Sequence, residues 1–281
     1  MGSVSAASRE RFAEVVRAGG AAGDPADVRL DRALLLVSAE ALPAAETTGE
    51  ALDALERRGL ETLDRLAESV PAEGRDDVRL RSALGAFSGG SADYTLLESS
   101  LLPEVLRRRR GLPILLSTVW TEVARRAGVP AYGVGLPGHF VVGVGDPDGV
   151  RVLVDPWQGG RLLPYDRARD IVAGTGRSLR PEHLRPHDPI DTVDRVLGNI
   201  RAWASTPERA RHRVWAAELG LMLPRHDLGL RREYGEALIA VGRYVEASAL
   251  LEEYADLVAG PMPLEAEHAR RIARQARSRL N

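Results

Sequence analysis

The chain of 281 residues contains no cysteine and no lysine. The absence of cysteine excludes disulfide bonds, zinc sites built on thiolates and thiol nucleophiles. All 38 basic residues are therefore arginine, which together with the abundance of alanine and glycine indicates a GC-rich genome rather than a functional choice. Any functional site has to be built from other side chains.

Long apolar runs and an excess of either charge are also missing. No stretch approaches the ~18 apolar residues of a membrane span, and the N-terminal sequence lacks the apolar core of a signal peptide. A formal net charge of −2 gives no reason to expect nucleic acid or an anionic membrane as a partner. We therefore expect a cytoplasmic protein that binds neither nucleic acid nor membrane.

The apolar pattern divides the chain into regions. Helical spacing predominates in the first part, strand-like segments with strong turns follow in the middle, and helical spacing returns near the end. Residues 228–261 match one tetratricopeptide-like unit of roughly 34 residues. We therefore predict an α+β protein with a helical N-terminal region (1–90), a core with a small antiparallel sheet (91–186) and an α-helical, tetratricopeptide-like C-terminal region (187–281).

The central helix is predicted to begin at Pro113, because proline suits the first turn of a helix, and to end before Gly128. Its apolar residues recur at helical spacing and are Leu116, Val119, Trp120, Val123 and Ala127. We therefore predict a helix that is buried on one side, with Pro113 and Ser117 at the edge of the apolar stripe.

Two strand-like segments flank the turn Asp146-Pro147-Asp148-Gly149 and predict a β-hairpin. If residue 145 pairs with residue 149, His139 lies directly opposite Asp155, with Cβ atoms about 5 Å apart. A slip of one residue would place the two side chains on opposite faces of the sheet. The predicted pair of His139 and Asp155 therefore depends on the register.

Four consecutive arginines, Arg107 to Arg110, precede the central helix. Such a run can bind phosphate, but cations at the C-terminal end of a helix also stabilise its dipole. Gly111 is a natural residue to cap that end. We favour this structural interpretation of the run.

Several motifs in the middle of the chain resemble the SirB-type family of the transglutaminase-like superfamily. They are Arg109-Arg110-Gly111-Leu112-Pro113-Ile114-Leu115-Leu116-Ser117, Leu136-Pro137-Gly138-His139-Phe140, Asp155-Pro156-Trp157 with Gly159-Gly160, and Arg195-Val196-Leu197-Gly198-Asn199-Ile200. The resemblance implies a papain/transglutaminase-like core between a helical N-terminal region and tetratricopeptide-like C-terminal helices.

The resemblance also implies a site. In the superfamily a thiolate at the N-terminus of the central helix is the nucleophile, a strand histidine is the base, and an aspartate orients the histidine. On this chain Pro113 takes the position of the nucleophile, whereas His139 and Asp155 take those of the base and the orienting residue. A remnant dyad is therefore expected, without its nucleophile.

Two functions follow from these residues. The first is a non-catalytic binding or regulatory module that takes a protein or peptide partner, without a cofactor or a metal, in a cleft lined by Pro113, Trp120, Gly138, Phe140 and Trp157. The alternative is a serine-dependent hydrolase or acyltransferase that uses Ser117 with His139 and Asp155. The alternative requires the Ser117 hydroxyl to lie within about 3.2 Å of a His139 nitrogen.

Overall fold

The computed structural model describes residues 4–17, 28–42 and 48–279, and it has the predicted α+β fold. The helices are α1 (Val4–Arg17), α2 (Leu30–Ala39), α3 (Gly49–Glu68), α4 (Asp76–Leu84), α5 (Leu102–Arg108), α6 (Pro113–Arg126), α7 (Tyr165–Ala173), α8 (Pro189–Trp203), α9 (Ala210–Leu221), α10 (Gly229–Ala240), α11 (Tyr244–Val258) and α12 (Pro263–Ser278). The strands are β1 (Ala131–Val134), β2 (Val141–Gly145), β3 (Arg151–Asp155) and β4 (Arg161–Leu162).

The chain divides into two compact units, residues 1–196 and 197–281, and the division falls within α8. In the second unit each helix from α9 to α12 packs against the next one along the chain. Helices α10 and α11 form a hairpin around Gly242, whose φ of 80° suits the end of a helix. The tetratricopeptide-like assignment of these helices and the division into three regions stay predictions.

The four strands form an antiparallel sheet in the order β1-β2-β3-β4, but the predicted hairpin register is wrong. Gly145 pairs with Arg151 rather than with residue 149. The loop is longer than predicted because the main-chain N–H of Asp146 donates to the carbonyl oxygen of Val150, at 3.1 Å, and closes the turn there. Since the shift is two residues, every side chain keeps its predicted face of the sheet.

Helix α6 begins at Pro113, as predicted, with Leu112 as its N-cap. The prediction that it is buried on one side is wrong, because every residue from Pro113 to Trp120 is buried. Ser117 has no exposed surface and does not lie at a rim. A Cβ atom added at Gly160 would lie 2.0 Å from the ring of Trp120, so the turn after β3 lies directly against this helix.

Charged side chains of α6 are also partly buried, in an ion-pair network with α2. Asp31 of α2 has no exposed surface and pairs with Arg126 of α6 and with Arg29. Burial alone would raise the pKa of Asp31, but hydrogen bonds from Arg29 and Arg126 outweigh it and lower that pKa. Glu122 also accepts a bond from Arg126, at 2.6 Å. This network fixes the C-terminal end of α6 against α2.

Three of the four consecutive arginines have carboxylate partners. Arg107 pairs with Glu104 at 2.6 Å, and Asp93 pairs with Arg110 at 2.8 Å and with Arg108 at 3.4 Å. Asp93 is buried, so these contacts hold the loop before α6. The pairing favours the structural interpretation of the run over a phosphate site.

Arg109, the remaining member of the run, has an unusual backbone conformation. It is the C-cap that follows helix α5, and it has a left-handed φ of 55°. The predicted cap, Gly111, is therefore wrong by two positions. The carbonyl oxygen of Arg109 accepts a hydrogen bond from the main-chain N–H of Ser88 at 3.1 Å, which helps to hold the strained residue in place.

We expect Arg109→Gly to raise the free energy of unfolding by up to about 1 kcal/mol, because glycine adopts this conformation without a Cβ clash. Urea denaturation would measure the change. The matched control is Arg107→Gly, within the last turn of α5, which should lower stability by about 1 kcal/mol. A similar loss in both variants would contradict the left-handed end of α5.

His187 links the segment before α8 to the sheet. Its main-chain N–H donates to the carbonyl oxygen of Gly133 at 2.8 Å, and its ring Nδ1 lies 2.9 Å from the hydroxyl of Thr192. The ring also lies edge-on to Phe140, with centroids 5.1 Å apart. Burial lowers the pKa of His187, and the positive charge of Arg195 lowers it further.

This lowered pKa predicts a loss of stability in acid. The unfolded histidine, with a pKa of about 6.5, binds a proton before the folded one does, so the free energy of unfolding should fall as the pH drops below about 6.5. His187→Asn should reduce this slope. Burial lowers the pKa of His212 as well, so the double variant with His212→Asn should reduce the slope further. Chemical denaturation between pH 7 and 5 tests this, and an unchanged slope in both variants would contradict it.

Candidate functional site

His139 and Asp155 are in contact, although not as a directly opposed strand pair. Nε2 of His139 lies 3.1 Å from Oδ1 of Asp155. Asp155 is the last residue of β3, whereas His139 lies two residues before the start of β2 and has no strand partner. The register therefore makes the two residues diagonal neighbours, and the histidine side chain is long enough to reach Asp155.

The carboxylate of this pair is buried and accepts a hydrogen bond from the main chain. The side chain of Asp155 is 3% exposed, and its Oδ1 also accepts the main-chain N–H of Trp157 at 3.0 Å. Its Oδ2 is buried without a hydrogen-bond partner. Nδ1 of His139 has no hydrogen-bond partner among the described residues, and it is not among their fully buried polar atoms without a partner.

Pro113 and Ser117, one helical turn apart, lie at the start of α6. Proline offers no nucleophilic atom, and as the first helical residue it also has no main-chain N–H to donate. The hydroxyl of Ser117 donates to the carbonyl oxygen of Phe140 at 3.3 Å, and the side chain is fully buried. The hydrogen bond predicted for serine chemistry, from Ser117 to His139, is therefore replaced by a bond to the backbone.

The predicted cleft residues separate into two groups. Pro113, Trp120 and Phe140 are buried, and Trp120 has no exposed surface at all. These three side chains belong to the core and do not line an open cleft. Gly138 and Trp157 do reach the surface. Gly138 has a φ of 79°, which favours glycine there.

Tyr94 contributes an exposed aromatic ring beside the dyad, which the sequence did not indicate. Its ring centroid lies 5.6 Å from that of Trp157, with the planes tilted by 52°. The side chain is 53% exposed. Partial burial raises the pKa of the Tyr94 hydroxyl, and the positive charge of Arg195 opposes that effect. The only sequence signal was its place in a short connector between helices.

Arg195 is the other residue whose role the sequence did not reveal, although it belongs to one of the motifs. Its Nη2 donates to two carbonyl oxygens, that of Leu136 at 3.0 Å and that of His139 at 2.9 Å. The guanidinium lies 5.3 Å from the centre of the Phe140 ring. Burial lowers the pKa of Arg195, while Tyr94 raises it. This arginine therefore braces the loop that carries His139.

We call Tyr94, His139, Trp157 and Arg195 the dyad rim, because they surround the contact with Asp155. The described residues include no group of three or more His, Asp or Glu side chains that could hold a metal ion. No helix in the described ranges is long and apolar enough to cross a membrane. The rim combines a cation, an imidazole and two aromatic rings, which suits recognition of a ligand with both charge and a flat or apolar surface.

Comparison with known proteins identifies relatives of this arrangement. Residues 50–198 match the family described as the transglutaminase-like superfamily. The chain is 32% identical over 177 residues to a UPF0162 protein of Xylella fastidiosa (strain Temecula1), covering 61% of this chain and 63% of that protein. It is 34% identical over 179 residues to the UPF0162 protein PA3419 of Pseudomonas aeruginosa, with the same coverage of 61% and 63%.

Two further similarities are more limited. A segment of 56 residues is 39% identical to mouse F-box only protein 21, covering 20% of this chain and 9% of that protein. Among solved structures, a crystal structure of menin matches with 12% identity and a TM-score of 0.40, covering 89% of this chain and 69% of that one.

The SirB-type assignment stays a prediction, and the matches to the bacterial relatives span 63% of their length. The match over residues 50–198, more than half of the chain, shows that this protein belongs to the transglutaminase-like superfamily.

Proposed function

We propose that this chain is a non-catalytic member of its superfamily that binds a peptide segment of a protein partner at the dyad rim. The observation that carries the proposal is that α6 begins at Pro113, the residue that the resemblance assigns to the position of the superfamily's thiol. His139 and Asp155 then remain as an acid–base pair without a nucleophile to activate. In this proposal the 3.1 Å contact with Asp155 orients the imidazole toward a ligand.

The serine-dependent alternative has less support. A serine nucleophile needs a hydroxyl that reaches both its base and the substrate. Ser117 is fully buried and donates to the carbonyl oxygen of Phe140. It would have to break this bond and turn out of the core before it could react, so the binding proposal is favoured.

Exposed aromatic groups support a peptide as the ligand. Tyr94 and Trp157 contact each other at the surface, and such rings contribute large contact areas at a small entropic cost. A Cβ atom added at Gly89 would lie 2.0 Å from the Trp157 ring, so Gly89 allows that ring to pack closely against the chain. The rim therefore offers a rigid aromatic wall, and we propose that a peptide side chain packs against it.

Pro113→Cys tests the position of the missing nucleophile, since it would introduce the only thiol in the protein. A helix N-terminus and a nearby histidine both lower the pKa of a thiol. We therefore expect the pKa of this thiol to lie below its ordinary value of about 8.5. The thiolate absorbance at about 240 nm, followed against pH, measures this pKa without requiring a reagent to reach the buried position 113. Adding His139→Asn should bring the pKa back toward the ordinary value.

The matched control is Ser69→Cys, at the exposed C-terminal end of α3. If the two thiols had the same pH profile, and His139→Asn changed neither, Pro113 would not occupy the nucleophile position. Labelling of the wild-type protein by a fluorophosphonate, lost in Ser117→Ala, would instead establish serine chemistry and contradict the non-catalytic proposal.

Selection from a displayed library of random peptides tests the binding role. We expect peptides that bind the wild-type protein and lose about tenfold or more in affinity with Tyr94→Ala or Trp157→Ala, because a buried aromatic contact commonly contributes more than 1 kcal/mol. Fluorescence polarisation with the selected peptides would give the dissociation constants.

Tyr165→Ala provides a matched control, because Tyr165 is 58% exposed on α7, within the same unit. It lines a different surface groove, with Leu153 and Leu162. Selected peptides should bind this variant as they bind the wild type. Affinity lost in Tyr165→Ala but kept in Tyr94→Ala would move the site to that groove, and failure to select any peptide would contradict the binding proposal.

A further inference from the structure

Arg195 is a half-buried cation without a carboxylate partner. It makes no ion pair with any described residue, in contrast to Arg108 and Arg110 before α6. Two of its five N–H groups are used by the carbonyl oxygens of Leu136 and His139. Its remaining N–H groups, on Nε and Nη1, have no acceptor among the described residues, and neither nitrogen is among their fully buried polar atoms without a partner. A partly desolvated guanidinium of this kind is a preformed site for an anion.

The imidazole of His139 adds a second group at the same place. Arg195 donates to the carbonyl oxygen of His139 at 2.9 Å, so the guanidinium lies against the backbone of the residue that carries the imidazole. Nε2 of His139 lies 3.1 Å from Oδ1 of Asp155, and Nδ1 has no hydrogen-bond partner among the described residues. When the imidazole is protonated, Nδ1 becomes a donor as well.

We propose that Arg195 and His139 bind a carboxylate group of the peptide ligand, next to the aromatic wall of Tyr94 and Trp157. The inference rests on the proposed function and names the chemistry of the ligand. Arg195 contributes one positive charge without a carboxylate partner among the described residues, which matches the single negative charge of a carboxylate. Arg108 and Arg110, which could add positive charge for a phosphate, instead both contact Asp93.

A carboxylate can come from the end of a peptide or from an acidic side chain, and three probes separate these sources. They are acetyl-Ala-Phe with a free C-terminal carboxylate, the same peptide with a C-terminal amide, and acetyl-Glu-Phe with a C-terminal amide. Titrations followed by the ¹⁵N signals of the His139 ring and of Arg195 Nε would give dissociation constants. We expect at least one acid to bind about tenfold or more tightly than the neutral amide, as a charge-assisted hydrogen bond predicts.

Arg195→Gln tests the assignment to this residue. It should make the acid and the neutral amide bind the variant with equal affinity, whereas the loss of a purely structural role would weaken both probes alike and keep the preference. Arg185→Gln, in an exposed turn, removes the same charge elsewhere and should keep the preference. If Arg195→Gln does not fold, Arg195→Lys serves in its place, and it should retain the preference only in part because lysine lacks the planar fork.

The outcomes separate this inference from the proposed function. If the acids and the neutral amide bind the wild-type protein equally, or if the preference survives in Arg195→Gln, the carboxylate site is wrong and the peptide-binding role stands. If neither acid binds at millimolar concentration, the inference is wrong, and the library peptides decide separately whether Tyr94 and Trp157 form a binding surface. Preference for the free C-terminus over the glutamate peptide would identify a chain terminus as the ligand.

Discussion

The burial of α6 is the constraint on which the rest of the first unit depends. This helix contacts the N-terminal helices, β1, β2 and the turn that follows β3. The contact between Trp120 and Gly160 leaves no room for a side chain at residue 160, which fixes that turn against the helix. Because the turn starts directly after Asp155, the packing of α6 also determines where Asp155 and Trp157 lie. The core and the candidate site are therefore parts of one packing arrangement.

Features that depend on neighbouring residues could be predicted from the sequence, whereas those set by distant contacts could not. The start of α6 at Pro113 follows from the fixed φ of proline, and the hairpin follows from its turn residues. The burial of the charged side of α6 depends on Asp31, which is 95 positions from Arg126. Arg195 is 56 positions from His139, and no local pattern predicts such a contact.

The predicted dyad also illustrates which errors matter in a sheet. The register was wrong by two residues, because the loop after Gly145 closes between Asp146 and Val150. An even shift preserves the face on which each side chain lies, and a histidine side chain is long enough to reach a diagonal neighbour. The predicted cleft differs from the structure in a way that no such shift corrects, because Trp120 and Phe140 are buried. Periodicity shows that Trp120 and Phe140 are apolar, but it does not distinguish a side chain that lines a cleft from one in the core.

The energetics of the dyad argue that it serves something other than stability. Asp155 is almost fully buried, and its Oδ2 lacks a hydrogen-bond partner. A buried polar atom without a partner costs about 1–3 kcal/mol, and well-packed apolar residues often replace buried ion pairs without loss of stability. What the contact does achieve is the placement of the imidazole, whose Nε2 lies 3.1 Å from Oδ1 of Asp155. The packing also brings Arg195 against the carbonyl oxygen of His139, so a guanidinium without a carboxylate partner among the described residues lies against the backbone of the loop that carries the imidazole.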